Sequence, residues 1–122
     1  MANEISISAS LSATKGGVTV QSGGQTKAVD MVGDQMLANV QIIGTSAEAL
    51  QMADVTVGGY LFVRNMDGTN FIQLALDSAV STQIFCKLKP GESTLFRPPV
   101  GATIYAKADT ANCNAQVVAV ED

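Results

Sequence analysis

Residues 4–13 have the sequence EISISASLSA. Apolar or small side chains occupy alternate positions from Ile5 to Ala13, and the positions between them are filled by Ser6, Ser8, Ser10 and Ser12. A period of two is typical of a β-strand that has one apolar face and one polar face. The first segment of the chain therefore predicts a fold built from β-strands.

The same alternation continues almost to the end of the chain. Turn-forming pairs interrupt it, namely Gly16-Gly17, Gly23-Gly24, Asp67-Gly68 and Pro90-Gly91. About nine or ten short strands with this spacing indicate a β-sandwich or a barrel. The turn at Lys87–Glu92 resembles one common in jelly-roll proteins. We expect an all-β sandwich of jelly-roll type, a single domain over residues 1–122, with residues 1–13 as an N-terminal strand or arm.

Two local features refine this expectation. Tyr60–Asn65 and Asn70–Asp77 are strand-like runs, and the Asp-Gly pair between them predicts a hairpin. Thr45 and Glu48 have the spacing of a helical capping box, so a short helical turn is expected at most near residues 45–53. An irregular connection fits that segment equally well.

Composition argues against several classes of function. The 122 residues include 7 Lys and Arg against 11 Asp and Glu, a net charge of -4, which is the wrong sign for binding nucleic acid. The chain has no histidine, the most frequent general base and metal ligand. No nucleophile motif or phosphate-binding loop is present. We therefore expect no enzyme, no catalytic or metal-binding residue, and no cofactor.

Two smaller groups of residues have side chains that could bind a metal ion or react. Asp67, Asn70 and Asp77 carry the oxygen atoms that calcium accepts, but their spacing matches no known loop and favours turn and strand-end roles. Cys86 and Cys113 lie in apolar, strand-like segments, so we expect free structural thiols.

Residues Met1–Glu4 lack the features of a secretory signal, and no run of about 20 apolar residues occurs. A soluble protein made in a cytoplasm, without a membrane partner, is expected.

The order of motifs resembles that of small virion proteins encoded near the head genes of tailed bacteriophages. The likeness covers roughly Glu4 to Glu121 and consists of strand and turn residues, with no catalytic residue among them. Its motifs begin with the serine-rich first strand and a loosely matched Gly-Thr-x-x-Glu-Ala-Leu segment (Gly44, Thr45, Glu48, Ala49, Leu50), followed by Ala53-Asp54-Val55. They continue with Gly59, Tyr60, Phe62, Arg64 and Asn65, then Asp67, Thr69, Asn70 and Phe71, then Leu88–Glu92, and end with Tyr105-Ala106-Lys107-Ala108.

This resemblance implies a capsid decoration, or cement, protein made in the host bacterial cytoplasm and located on the capsid surface of the virion. The major capsid protein and further copies of the chain, expected as a homotrimer, would be its partners. A tail component of the virion is one alternative. A carbohydrate-binding or host-adhesion module is another, although 5% aromatic residues and no Trp are few for stacking sugars.

Interaction residues are expected in two places. Ile5, Ile7 and Leu11 lie on the first strand, which could pair with a neighbouring chain as an arm or form an outer strand of the chain's own sandwich. Tyr60, Phe62, Phe85, Phe96 and Tyr105 lie opposite the better apolar face of their strands, so they either make exposed contacts or fill the second sheet of the sandwich.

Overall fold

The computed structural model of the chain describes residues 4–52, 55, 58–99 and 101–121. Regular structure in these ranges is entirely β-strand, as the alternation predicts, and they include no helix. The strands are β1 (Ile5–Ala9), β2 (Ser12–Lys15), β3 (Val18–Gln21), β4 (Gln25–Val29), β5 (Met36–Ile43), β6 (Glu48–Ala49), β7 (Gly58–Asn65), β8 (Ile72–Ala75), β9 (Ile84–Leu88), β10 (Ser93–Phe96), β11 (Tyr105–Ala108) and β12 (Cys113–Glu121).

Strands β5 to β12 form two antiparallel sheets in the compact unit Gly33–Asp122. The first sheet has the order β10-β7-β12-β5, and the second has the order β6-β11-β8-β9. Every connection crosses from one sheet to the other except the one between β8 and β9, which pair directly. This connectivity is that of a jelly roll, so the expected fold class is confirmed.

The inner faces of the two sheets bury one apolar core. Leu61, Val63 and Val117 of the first sheet belong to the same buried cluster as Ile72 and Leu74 of the second, and all five side chains are fully buried. Burying each such side chain contributes about 1.5–3 kcal/mol to folding. The inner faces are thereby committed to stability, and the outer faces remain for contacts with other molecules.

Residues 45–52 contain no helix: Thr45 and Ser46 form a bend, and Glu48 and Ala49 form the short strand β6. Ala49 pairs with Tyr105 across β6 and β11, and the Leu50 N–H donates to the Ile104 carbonyl at 2.9 Å. The Glu48 carboxylate does turn back on the chain, but it accepts the Gly44 N–H at 2.9 Å and starts no helix. Pairing with β11 satisfies the backbone here, so the irregular alternative was the better prediction.

The prediction of a hairpin around Asp67-Gly68 is wrong. β7 lies in the first sheet and β8 lies in the second, so the segment between them is a connection from sheet to sheet. Its turn depends on the Asp67 carboxylate, which accepts the N–H groups of Thr69 at 2.9 Å and Asn70 at 2.6 Å. An Asp side chain can thus organise a corner without the left-handed backbone of a tight hairpin.

Asn65 holds this corner together from inside the protein. Its fully buried side-chain amide donates to the carbonyls of Asn70 at 2.9 Å and Leu88 at 3.0 Å, and its oxygen accepts the Asp67 N–H at 2.9 Å. Its backbone N–H donates to the Glu92 carbonyl at 2.9 Å. The Asn65 side chain therefore links the end of β7 to the segments that contain Asp67, Asn70 and Leu88. A buried amide whose nitrogen and oxygen both form hydrogen bonds stabilises the fold.

The compact unit Met1–Val32 is a two-stranded antiparallel ribbon, in which β1 pairs with β4 and β2 pairs with β3. Gly16 and Gly17 close its tip with φ of +59° and +82°, as the glycine pair predicts. Ser22–Gly24, expected as a second reversal, instead continues the ribbon: the Ser22 N–H donates to the Leu11 carbonyl at 2.8 Å. The side of the ribbon that contains residues 22–24 has one residue more than the side opposite it, which makes a bulge in the ladder.

Candidate interaction surfaces

The outer face of the first sheet is unusually apolar. Cross-strand partners identify its residues, because residues that pair directly point to the same side of a sheet. Val118 pairs with Ala38 on one side and with Phe62 on the other, and Phe62 pairs with Leu95. The outer apolar face, as we define it, consists of Met36, Ala38, Val40, Ile42, Tyr60, Phe62, Leu95, Val118 and Val120.

Several of these side chains are strongly exposed. Met36 is 70% exposed, Ile42 is 65% exposed and Val40 is 56% exposed, and all three lie on the edge strand β5. Isolated exposed apolar residues are ordinary, but contiguous apolar patches on a sheet mark sites of interaction. One apolar row crosses all four strands and a second crosses three, which makes this face the first candidate surface.

Polar side chains lie at the margins of the outer apolar face. Arg64 pairs with Gln116 and Ser93, and Gln116 pairs with Val40, so this row is polar on three of its four strands; Asn114 pairs with Ile42 in the row beside it. Near the opposite end, the Arg97 guanidinium lies over the Tyr60 ring, 4.4 Å from its centroid. Depletion of charge at the centre with polar groups at the rim is the composition of a protein–protein interface.

The outer face of the second sheet differs in kind. Lys87 pairs with Gln73, which pairs with Lys107, so a polar row crosses three strands. The Lys87 ammonium also lies 4.2 Å from the centroid of the Phe71 ring, which it shields from water. The next row is apolar, because Tyr105 pairs with Ala49 and with Ala75, so this face combines a polar row with a shorter apolar one.

The ribbon is the second candidate surface. In its outer half, residues 8–28 are all exposed, including Leu11, Val18 and Val20 at 63–75%. Each of its strands has one ladder partner, which leaves a second edge of unpaired N–H and carbonyl groups available. An exposed two-stranded ribbon with apolar side chains near its tip suits pairing with the edge of another sheet.

Residues predicted on the first strand fall within this ribbon. Ile5 is buried, Ile7 is half-buried and Leu11 is exposed. The ladder partners of residues 5–15 are residues 18–29, so the first strand forms part of neither sheet of the sandwich. The outer-strand alternative is therefore wrong, and the role of the segment as an arm stays a prediction.

The predicted aromatic residues divide between the faces. Tyr60 and Phe62 are half-buried members of the outer apolar face. Phe96 packs against the core and makes an edge-to-face contact with Phe85, with ring centroids 5.3 Å apart. Tyr105 is half-buried on the second sheet, where it pairs with Ala75. The sequence reasoning missed the large contribution of β5 and β12, although the weak alternation of residues 36–43 was a visible signal of it.

Acidic residues considered for metal binding serve backbone turns. The N–H groups of Asn70 and Thr69 lower the pKa of Asp67. The N–H of Ser81, followed by those of Gln83 and Thr82, lowers the pKa of Asp77 to about 2. Within the described ranges, no three His, Cys, Asp or Glu residues gather closely enough to hold a metal ion.

Both cysteines are free thiols, as expected. Burial raises the pKa of Cys86 and of Cys113, which keeps each sulfur in its unreactive protonated form. A cleft of about 310 Å³ is lined by uncharged residues, including Leu50, Met52, Pro98 and Ile104. The two thiols supply packing, and the cleft has no charged side chain in its lining.

Comparison with protein-family models, with curated proteins and with solved structures gives no match to this chain. The described residues contain no helix of the length and apolar character needed to cross a membrane.

Proposed function

We propose that this chain is a non-enzymatic structural protein of a tailed-phage virion, which binds the capsid surface and stabilises the shell as a decoration protein. The observation that carries the proposal is the pair of contact surfaces, an exposed ribbon and an outer apolar face, on a jelly-roll scaffold. A protein that joins neighbouring subunits needs a rigid core and surfaces that reach other chains. The motif order given above supports the virion as its location.

In this proposal the ribbon contacts the major capsid protein. Unpaired backbone groups along its edges can extend a sheet of the capsid subunit, and such hydrogen bonds depend little on side-chain identity. The exposed Val18 and Val20 near the tip add apolar contacts. Further copies of the chain are the second partner, with three copies expected.

Binding to purified shells tests this function directly. The neighbouring genes are read first; where they include a major capsid gene, shells are assembled from its product, mixed with the protein and pelleted by centrifugation. The wild-type protein should pellet with the shells at a saturating ratio. The Val20→Lys variant should bind at least about tenfold more weakly, because a charge replaces an exposed apolar contact at the tip.

The matched control is Gln73→Lys, which adds the same charge to the polar face of the second sheet and should bind as the wild type does. Circular dichroism and thermal unfolding verify that both variants are folded. Wild-type protein that never pellets with the shells would reject the decoration role. Equal binding by wild-type and Val20→Lys protein would reject the ribbon as the contact.

A further inference from the structure

We infer that the outer apolar face of the first sheet is the surface through which copies of this chain associate. This inference does not depend on the virion, because it concerns the purified protein alone. It starts from the exposed side chains of that face: Ala38, Val118, Phe62 and Leu95 form an apolar row across all four strands, and Met36, Val40 and Ile42 on the edge strand β5 are 56–70% exposed. A soluble chain gains free energy by covering such a patch.

The size of the face fits a second copy. Strands of eight residues are about 27 Å long, and three of them side by side span about 14 Å, so with the shorter β10 the face covers about 450 Å² in projection. Two such faces in contact bury about 900 Å² when they are treated as flat, and the uneven surface of the side chains adds to this area. The total is close to the roughly 1,000 Å² expected of a specific interface. The face is thus large enough for a homo-oligomer.

Charge also favours a second copy over an acidic or basic partner. Arg64 is the charged residue that the strands place on this face, and it lies in the row of Gln116 and Val40, next to the apolar row of Val118. A highly charged partner would bury charges at the centre with no counter-charge to pair them, which is costly. A second copy contributes an identical uncharged apolar row and leaves its Arg64 in the row beside it.

The geometry of sheets permits this contact. Two twisted sheets of the same hand stack face to face about 10 Å apart with their strands inclined by about 30°. The side chains that would interdigitate are β-branched or aromatic, including Val40, Val118 and Phe62, which pack well on a pleated surface. The same face on each copy makes a self-complementary, two-fold contact that closes as a dimer without forming an open fibre, so this inference gives two copies where the proposed function expects three.

Two methionines make the association measurable without any substitution. Met36 lies on the outer apolar face and is 70% exposed, whereas Met66 lies beyond the end of β7, beside Asn114 at the margin of the face, and is 50% exposed. Peroxide oxidises exposed methionine to the sulfoxide, which mass spectrometry detects. If copies cover the face, oxidation of Met36 should become several-fold slower than that of Met66 as protein concentration rises, and the two rates should converge on dilution.

Sedimentation velocity at micromolar concentration provides the second measurement. The wild-type protein should sediment as a homo-oligomer, and Val40→Lys should raise its dissociation constant at least about tenfold. Val18→Lys is the matched control, because it makes the same change at a similarly exposed valine of the ribbon, and it should associate as the wild type does.

Circular dichroism establishes that both variants retain the β fold. A wild-type protein that is monomeric at all concentrations, with Met36 oxidised as fast as Met66, would overturn the inference. Dissociation by Val18→Lys with Val40→Lys unaffected would also overturn it, since copies would then meet through the ribbon. Neither result bears on shell binding, which the pelleting experiment measures separately.

Discussion

The two four-stranded sheets share one core but differ on the sides that face away from it. Lys87, Gln73 and Lys107 cross the outer face of the second sheet, whereas Val40, Val118 and Phe62 occupy the corresponding side of the first. Folding alone requires one apolar face per sheet; the second sheet adds the row of Ala49, Tyr105 and Ala75 on its outer side, whereas the first adds exposed apolar side chains along the whole of β5. This more extensive apolar face is the informative difference between the two sheets, and it is the feature that we infer serves association.

The largest expected effect comes from breaking the junction that both sheets share. Asn65→Asp keeps the shape of the side chain but replaces its NH₂ group with a carboxylate oxygen. The buried carbonyls of Asn70 and Leu88 then lose their donor and face an acceptor instead. Leaving each group unsatisfied costs about 1–3 kcal/mol, so we expect a loss of at least about 3 kcal/mol in the free energy of unfolding. Urea denaturation followed by circular dichroism measures it.

Asn114→Asp is the matched control for that experiment. Asn114 also belongs to the first sheet, but it is exposed, and its backbone carbonyl, rather than its side chain, accepts the Met66 N–H at 2.9 Å. The free energy of unfolding of Asn114→Asp should stay within about 0.5 kcal/mol of the wild-type value. Equal stability of the two Asp variants would mean that the buried amide does not hold the corner.

An intermediate effect separates the two faces of the first sheet within a single strand. Val117 is fully buried in the core, and its neighbour Val118 lies half-buried on the outer apolar face. Val→Thr preserves shape and adds a hydroxyl group, which costs about 1–3 kcal/mol when buried without a partner. We expect Val117→Thr to lower the free energy of unfolding by this amount.

Val118→Thr should change the unfolding of dilute protein by less than about 0.5 kcal/mol, since its hydroxyl reaches water. At higher concentration the same variant should weaken association, which sedimentation velocity detects. If Val118→Thr were as destabilising as Val117→Thr in dilute protein, the outer face would be part of the folding core. The contrast between the sheets would then reflect stability instead of assembly.

The sequence predicts this fold well because alternation is a local property. A period of two along β1 and β12 is legible without knowing any partner strand, and the glycine pair at the ribbon tip dictates its backbone angles. Pairing is not local in this way. Asp67-Gly68 favours a hairpin by composition, yet the bonds that decide the outcome come from Asn65 and from the distant Leu88. Tertiary contacts outweighed turn propensity there.

The candidate surfaces were predicted less completely for a related reason. Tyr60 and Phe62 were identified from their own strand, but the patch they belong to is assembled from β5 and β12, which are distant in sequence. Single strands show only which residues share a face, and sheet order shows which faces adjoin. Many residues of the virion-like motifs, including Asn65, Asp67 and Glu92, lie at the corner between the sheets. Those motifs therefore carry information about the fold more than about the binding partner.

The smallest expected effect concerns acid and is confined to the second sheet. Asp77 precedes the loop to β9, and its carboxylate accepts the N–H groups of Ser81 at 3.0 Å and Gln83 at 2.9 Å. These bonds lower its pKa to about 2 from a usual value of 3.8. Because the pKa is lowered in the folded state, the stabilising contribution is present above about pH 4 and is lost as the pH falls toward 2.

The amide resonances of Ser81 and Gln83 should therefore shift with a midpoint near pH 2, whereas those of β5 should not follow that titration. Asp77→Asn, which carries no titrating group at this position, should remove the transition at both amides and reduce the loss of thermal stability between pH 4 and pH 2, to which Asp67, whose pKa is also lowered, still contributes. A midpoint near the usual value of 3.8 would show that the loop bonds do not favour the charged carboxylate, and the acid sensitivity of the second sheet would need another source.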